Sequence, residues 1–158
     1  MEKITIRPAE KKDIPEINAL TKEMHRCLGK QVGLSFSDRE LDEERVSAAE
    51  LKGIIVAEDK GTGRIVGYVS FSPKPLHDEW YGKHIYVYEI AVKAGFRGKG
   101  IGKRLMERLI SISDKRKLNL KIDTLVKNNG TIEFYKEMGF KPFMLYFVRE
   151  HRKRLKLG

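Results

Sequence analysis

Apolar residues recur along this chain in two rhythms, and the places where the rhythm changes divide it into elements. Ile4 and Ile6 alternate with Thr5 and Arg7 up to Pro8, the two-residue period of a strand with one buried face. Ile14, Ile17, Leu20, Met24 and Leu28 then follow at helical spacing. Asp13 with Glu16 predicts the cap of that helix and Gly29 its stop. Ser37 with Glu40 predicts a second helix running to about Leu51. GIIVAED and RIVGYVSF flank Gly61-Thr62-Gly63 as an antiparallel hairpin. HIYVYEIAV, rich in β-branched and aromatic residues, reads as a strand buried on at least one face and leads into a glycine-rich turn.

Past that turn, Ile101, Leu105, Leu109 and Ile112 form a helical stripe that Met106 and Ile110 widen. LKIDTLV predicts the next strand, and Ile132, Phe134, Tyr135 and Met138 a short helix stopped by Gly139 in a left-handed cap. FMLYFVRE predicts a last strand. The expected order is β-α-α-β-β-β-α-β-α-β, an α/β (α+β) arrangement with a mixed sheet and helices on both faces. No repeat or linker divides it, so one domain over residues 1–148 and a basic tail over 149–158 are expected.

Composition narrows the function classes. With 158 residues, 41% hydrophobic and 34% charged, the chain is long and apolar enough for one packed core, which excludes disorder. Apolar runs fall far short of the roughly 20 residues a spanning helix needs, and no signal peptide is expected. Cys27 stands alone, so no internal disulfide or four-cysteine zinc site can form, and a cytoplasmic setting is expected. The net charge of +10 favours an anionic partner. It is unevenly spread, for residues 31–59 hold 8 acidic and 3 basic side chains. The basic terminus reads first as a solvated end and only secondarily as a nucleic-acid or ribosome contact.

The richest chemistry lies in Phe96-Arg97-Gly98-Lys99-Gly100-Ile101-Gly102-Lys103-Arg104, between the end of a strand and the start of a helix. Unpaired N–H groups and the helix dipole favour an anion there, and the glycines let the backbone approach it closely. Three alternating glycines among four basic residues suit a diphosphate. A P-loop fails on spacing, because Gly98 and Gly102 enclose three residues rather than four, and on Arg104, which stands where a hydroxyl would bind magnesium. A dinucleotide fingerprint would place its third glycine at Lys103, although Asp123 lies at a suitable distance for a ribose contact.

Arg97, Gly100 and Gly102 match the Arg/Gln-x-x-Gly-x-Gly/Ala pyrophosphate loop of the GNAT superfamily of acetyl-CoA-dependent N-acetyltransferases, which this sequence resembles. EIAV at 89–92 is similar to the strand before the loop, and NNGTIEFYKEMGF at 128–140 to the closing helix. The resemblance implies a mostly antiparallel, twisted GNAT-like sheet and an N-acetyltransferase that moves an acetyl group from acetyl-CoA to a primary amine by direct attack in a ternary complex. It implies that Phe96, Arg97, Gly98, Lys99, Gly100, Ile101, Gly102 and Lys103 hold the pyrophosphate. Ile90, Ala91, Val92 and Asn128 would then hold the pantetheine arm, and Tyr135 would protonate the leaving thiolate.

For the base, Glu89 on the strand leading to the loop and His84 earlier on it are the candidates, with a water chain as the third route. Strict alternation places Glu89 on one face with Ile85, Val87 and Ala91. In the GNAT fold the acceptor site borders the first two helices, here the acidic block, so Asp38, Asp42, Glu43 and Glu44 are candidate contacts for a cationic amine. Trp80 and Tyr81 in the long segment SPKPLHDEWYGKH are candidates for its rim. No metal site is expected from the histidine spacing. After Gly139-Phe140, Pro142 interrupts the last strand, which leaves closure of the acceptor site to a partner subunit in a homodimer. The rival reading is a GNAT-like module that keeps CoA without catalysis, or that docks to RNA or the ribosome.

Overall fold

The computed structural model describes residues 3–43 and 46–151. The acidic candidate Glu44 and the end of the basic tail, 152–158, lie outside the described residues, as does the side chain of Glu43. Six strands, β1 (Ile4–Pro8), β2 (Ile54–Asp59), β3 (Arg64–Phe71), β4 (Leu76–Asp78), β5 (Gly82–Val92) and β6 (Asn119–Lys121), form a sheet ordered β1-β2-β3-β5-β4, with β6 on β5. Every pairing is antiparallel except β5 with β6. Among the described residues four α-helices accompany it: α1 (Ile14–Val32), α2 (Asp38–Glu43), α3 (Ile101–Arg116) and α4 (Asn129–Glu137).

Alternation along β2 divides the core between the two faces. Ile54 and Val56 pack with Ile17 and Leu20 of α1 and with Tyr68, whereas Ile55 and Ala57 pack with Leu105, Met106 and Leu109 of α3 and with Tyr135 of α4. Helices therefore cover both faces of a mixed, mostly antiparallel sheet, as expected.

Several boundaries differ from the sequence expectation, each for a local reason. α1 runs through Gly29 because Phe36 lies over that glycine, 2.7 Å from where a Cβ would be, and it stops at Gly33, whose φ of 77° is left-handed. The cap before it joins Glu10 to Asp13, not Asp13 to Glu16, and Glu16 reaches instead to Arg64 and the Ile65 N–H. Ser37 and Glu40 form the predicted box, but a second Ser47–Glu50 pair restarts the chain, so the helix expected to reach Leu51 becomes α2 and a short 3-10 turn. Residues 143–150, expected as a strand, form no regular element.

A half-buried charge cluster ties the first elements together. Arg7 of β1 donates to both carboxylate oxygens of Asp13, at 2.7 and 3.0 Å, and through Nε to Glu58 of β2 at 2.5 Å. Burial works against the Asp13 charge, yet Arg7 and the Glu10 N–H outweigh it and hold that carboxyl below the ordinary aspartate range. Its stabilising contribution is complete above the unfolded-chain value, about 3.9, and is lost as pH falls through the lower folded value. Asp13→Ala is expected to reduce unfolding free energy by about 3 kcal/mol at neutral pH, because Arg7 loses a desolvated partner. In urea titrations the difference from the unmodified chain should shrink as the buffer is taken toward pH 3, and a difference independent of pH would contradict this account.

Candidate active site

β5 and β6 run side by side only from His84↔Asn119 to Tyr86↔Lys121. β5 continues to Val92 while β6 ends at Lys121, so the two strands part, and among the described residues this edge of β5 over residues 88–92 has no strand beside it. The parting is latched by the Tyr86 hydroxyl, which donates to Asp123 at 2.7 Å. Across the sheet, pairing of β5 with β3 passes from Ser70↔Glu89 to Phe71↔Val87, which makes Tyr88 an extra residue, a β-bulge.

That bulge corrects the expected facing of Glu89. Ile85 and Val87 lie with α3, as do Ile90 and Val92 beyond the bulge, whereas Ala91 lies with α1. Glu89 accordingly turns to the α1 side. Its Oε1 is 2.8 Å from His25 Nε2, and its Oε2 accepts the Tyr68 hydroxyl at 2.5 Å. Tyr68 in turn meets Thr21 Oγ1 at 2.7 Å, and Thr21 donates to the Ile17 carbonyl. Burial first, and then the charge of Glu89, push the Tyr68 hydroxyl well above the usual tyrosine range, so Tyr68 keeps its proton. Glu89 is thereby held from two sides while its side chain remains 22% exposed, open to a ligand.

On the other face, Tyr135 of α4 is buried between Phe134 and Phe140, with ring centroids 5.6 and 5.8 Å away. Burial, with a smaller contribution from Asp123, raises its hydroxyl above the usual range. Asn128, at the head of α4, does not cap that helix with its side chain. The parting of the strands thus separates a braced carboxylate on the α1 face from a protonated phenol on the α3/α4 face.

At the foot of β5 is the glycine turn. Gly98 and Gly100 adopt φ of 75° and 76°, and open space surrounds the position of a Cβ at either, so the requirement for glycine there is conformational. Gly102 is helical, and a Cβ there would make ordinary 3.8 Å contacts with Phe134 and Val92. Ile101, Gly102 and Lys103 open α3, and their N–H groups have no partner within the helix. The arginines brace the turn from its flanks: Arg97 donates to the Val92 carbonyl at 2.8 Å and reaches Glu23 at 3.1 Å, while Arg104 donates to the Ile4 carbonyl at 2.9 Å. Lys99 lies over the Phe96 ring.

The remaining sequence candidates fall elsewhere. His84 is buried five residues before Glu89, its Nδ1 3.0 Å from the Gly82 carbonyl, and does not join Glu89 or Tyr135. Asp38 is paired with Arg26, and Asp42 with Lys22. Trp80 is 71% exposed at the end of β5 away from the glycine turn, and Tyr81 packs on Phe143 and His84. His25 and Tyr68 escaped the sequence reading. The signal for His25 was its place four residues after Thr21, two polar positions beside the apolar stripe of α1. Among the described residues no cluster of His, Cys, Asp or Glu could hold a metal ion, and no helix is long and apolar enough to cross a membrane.

Known proteins are similar to this chain in sequence or in fold. The human spermidine/spermine N(1)-acetyltransferase-like protein 1 is 27% identical over 145 residues, 88% of this chain and 21% of its own length. Overall the chain spans 21% to 38% of the length of such curated relatives. Among solved structures, a glucosamine-6-phosphate N-acetyltransferase from Arabidopsis thaliana superposes with a TM-score of 0.67 at 21% identity, over 96% of this chain and 100% of that one. Arabidopsis thaliana Naa50 in complex with the bisubstrate analogue CoA-Ac-MVNAL superposes with a TM-score of 0.62 at 18% identity, over 87% and 83%. The family model for the acetyltransferase (GNAT) family matches residues 17–140, from the first turn of α1 to just past α4, and the chain belongs to that family.

Proposed function

We propose that this chain transfers an acetyl group from acetyl-CoA to a primary aliphatic amine, by direct attack within a ternary complex. The observation that carries this reading is the parting of β5 from β6, which leaves the edge of β5 over residues 88–92 without a strand among the described residues, with Glu89 on one face of the sheet and Tyr135 on the other. The residues present fit CoA. Gly98 and Gly100 leave room for a diphosphate against the main chain, and the first-turn N–H groups of α3 are its donors. The unpaired edge at Ile90, Ala91 and Val92 matches the amides of the pantetheine arm, and the Asn128 side chain is a further partner for it. The braced arginines leave the phosphates to the backbone of residues 96–103.

When bound, acetyl-CoA supplies the acetyl group as an activated thioester. An aliphatic ammonium, with pKa about 10.4, must lose a proton before it can attack, and Glu89 is the acceptor of that proton on the α1 face. Tyr68 and His25 orient it by fixing both oxygens. Tyr135 holds a proton on the opposite face, where the sulfur departs, and raising its pKa keeps that proton available. The human relative's name concerns spermidine and spermine, and an amine on a flexible chain is the acceptor class we carry over to this protein.

Release of CoA thiol across a panel of amines tests the reading, with turnover expected on aliphatic amines. Calorimetry with purified protein that gives no heat for either CoA or acetyl-CoA would overturn it. Tyr135→Phe is expected to lower kcat by about 10²-fold with acetyl-CoA affinity retained, and Glu89→Gln to lower kcat/KM by a similar factor. Because Tyr135 titrates above the usual tyrosine range, the pH–rate profile of the unmodified chain should show no fall attributable to it up to pH 10. A descending limb near pH 9 that disappears in Tyr135→Phe would contradict the assignment. Gly100→Val should abolish CoA binding through its positive φ, while Gly102→Ala should leave the dissociation constant within about twofold, both measured by calorimetry.

A further inference from the structure

Glu23 of α1 is a carboxylate where electrostatics alone would not place one. It bonds to the head of a turn whose four basic residues and main-chain N–H groups suit a diphosphate, and a negative charge there repels such a ligand unless it returns more than it costs. What it does is hold the turn. Its Oε1 accepts the Ala94 N–H at 3.1 Å and Arg97 Nη2 at 3.1 Å, so one oxygen secures both main chain and side chain of the segment leaving β5. Arg97 is engaged at both ends, because its Nε donates to the Val92 carbonyl at 2.8 Å.

The neighbouring backbone explains why those bonds matter. The Lys93 N–H donates to the Val66 carbonyl of β3 at 2.9 Å, and the N–H groups of Phe96 and Arg97 then close a 3-10 turn on the Lys93 and Ala94 carbonyls at 2.8 and 3.3 Å. Ala94 stands between sheet and turn, and among the described residues Glu23 is the acceptor for its N–H. Glu23 and Arg97 line an open groove with Arg26, Cys27 and Lys30, so polar bonds rather than apolar packing join α1 to the turn at this point. Two residues further along the same helix, His25 fixes Glu89. The carboxylate assigned as base and the turn assigned to the cofactor are thus referred to one rigid element. Main-chain donors held in shape beforehand need not be ordered by the ligand, and releasing them adds that ordering cost to binding.

We propose that Glu23 is a positioning residue of the cofactor site, one that keeps the glycine turn ready for the diphosphate of acetyl-CoA and sets cofactor affinity without taking part in acetyl transfer, an inference that rests on reading residues 96–103 as the CoA site. It acts through hydrogen-bond geometry and not through its charge.

The Glu23 side chain is 39% exposed on a helix, so Glu23→Ala should keep the fold, as a circular dichroism spectrum will check. In calorimetry with CoA, Glu23→Ala should raise the dissociation constant about fivefold, a modest factor because both bonds are partly exposed, whereas Glu23→Gln, whose amide oxygen can accept the same two donors, should stay within about twofold. With acetyl-CoA and an aliphatic amine, Glu23→Ala should raise KM for acetyl-CoA by the same factor and leave kcat and the KM of the amine within about twofold. Arg97→Ala added to Glu23→Ala should weaken CoA binding by less than Arg97→Ala does alone, since the two side chains act through one bond. Equal or tighter CoA binding by Glu23→Ala, a Glu23→Gln as weak as Glu23→Ala, additive losses in the double variant, or a loss confined to kcat would each overturn the proposal. An unmodified chain that gives no heat with CoA would remove the CoA site and this role together, whereas an unmodified chain that binds CoA no better than Glu23→Ala would overturn the role of Glu23 alone.

Discussion

The structure depends on one failure of pairing. Parallel strands normally continue their ladder as far as both extend, but here three residue pairs suffice and then β5 goes on alone. Main-chain N–H and C=O groups at an unpaired edge must find partners, and a cofactor with its own amides is one way to provide them. The bond from Tyr86 of β5 to Asp123, just past the end of β6, marks where the divergence begins.

Around that opening the protein divides labour between its faces. The α1 side presents a carboxylate fixed by a phenol and an imidazole drawn from β3 and α1, and the α3/α4 side presents a phenol enclosed by aromatic rings. In the proposed reaction the two groups have opposite roles, one to take a proton and one to give a proton up, and the sheet between them keeps their environments separate. The turn at the foot of β5 adds a third function by main-chain geometry, with its arginines spent on bracing instead of on charge.

Much of this was legible in the residues. Period-two alternation marked β1, the Gly61-Thr62-Gly63 hairpin marked β2 and β3, β-branched and aromatic composition marked β5, helical spacing marked α1, α3 and α4, and the glycine turn could be recognised because its conformational demand is written directly in residue type. What was not legible depended on long-range contacts. A bulge is decided by the partner strand, so no local pattern revealed that Glu89 faces away from Val87. The brace from His25 and Tyr68 joins residues 64 and 21 positions distant from Glu89, and neither has a motif. β6 is shorter than its apolar run because its neighbour diverges, and residues 143–148 have strand composition without a strand because a ladder needs a second edge.

The extra residue in β5 makes the strand behave like a message with a frame. Removing Tyr88 would restore strict alternation without turning either side of the strand: Glu89 would follow Val87 directly and stay opposite it, with Ile90 and Val92 still beneath α3. A ladder forced to run straight with Tyr88 retained would do the reverse, sending the carboxylate into the aliphatic layer and delivering an isoleucine to the histidine, so the frame is kept by the bulge and not by the residue count.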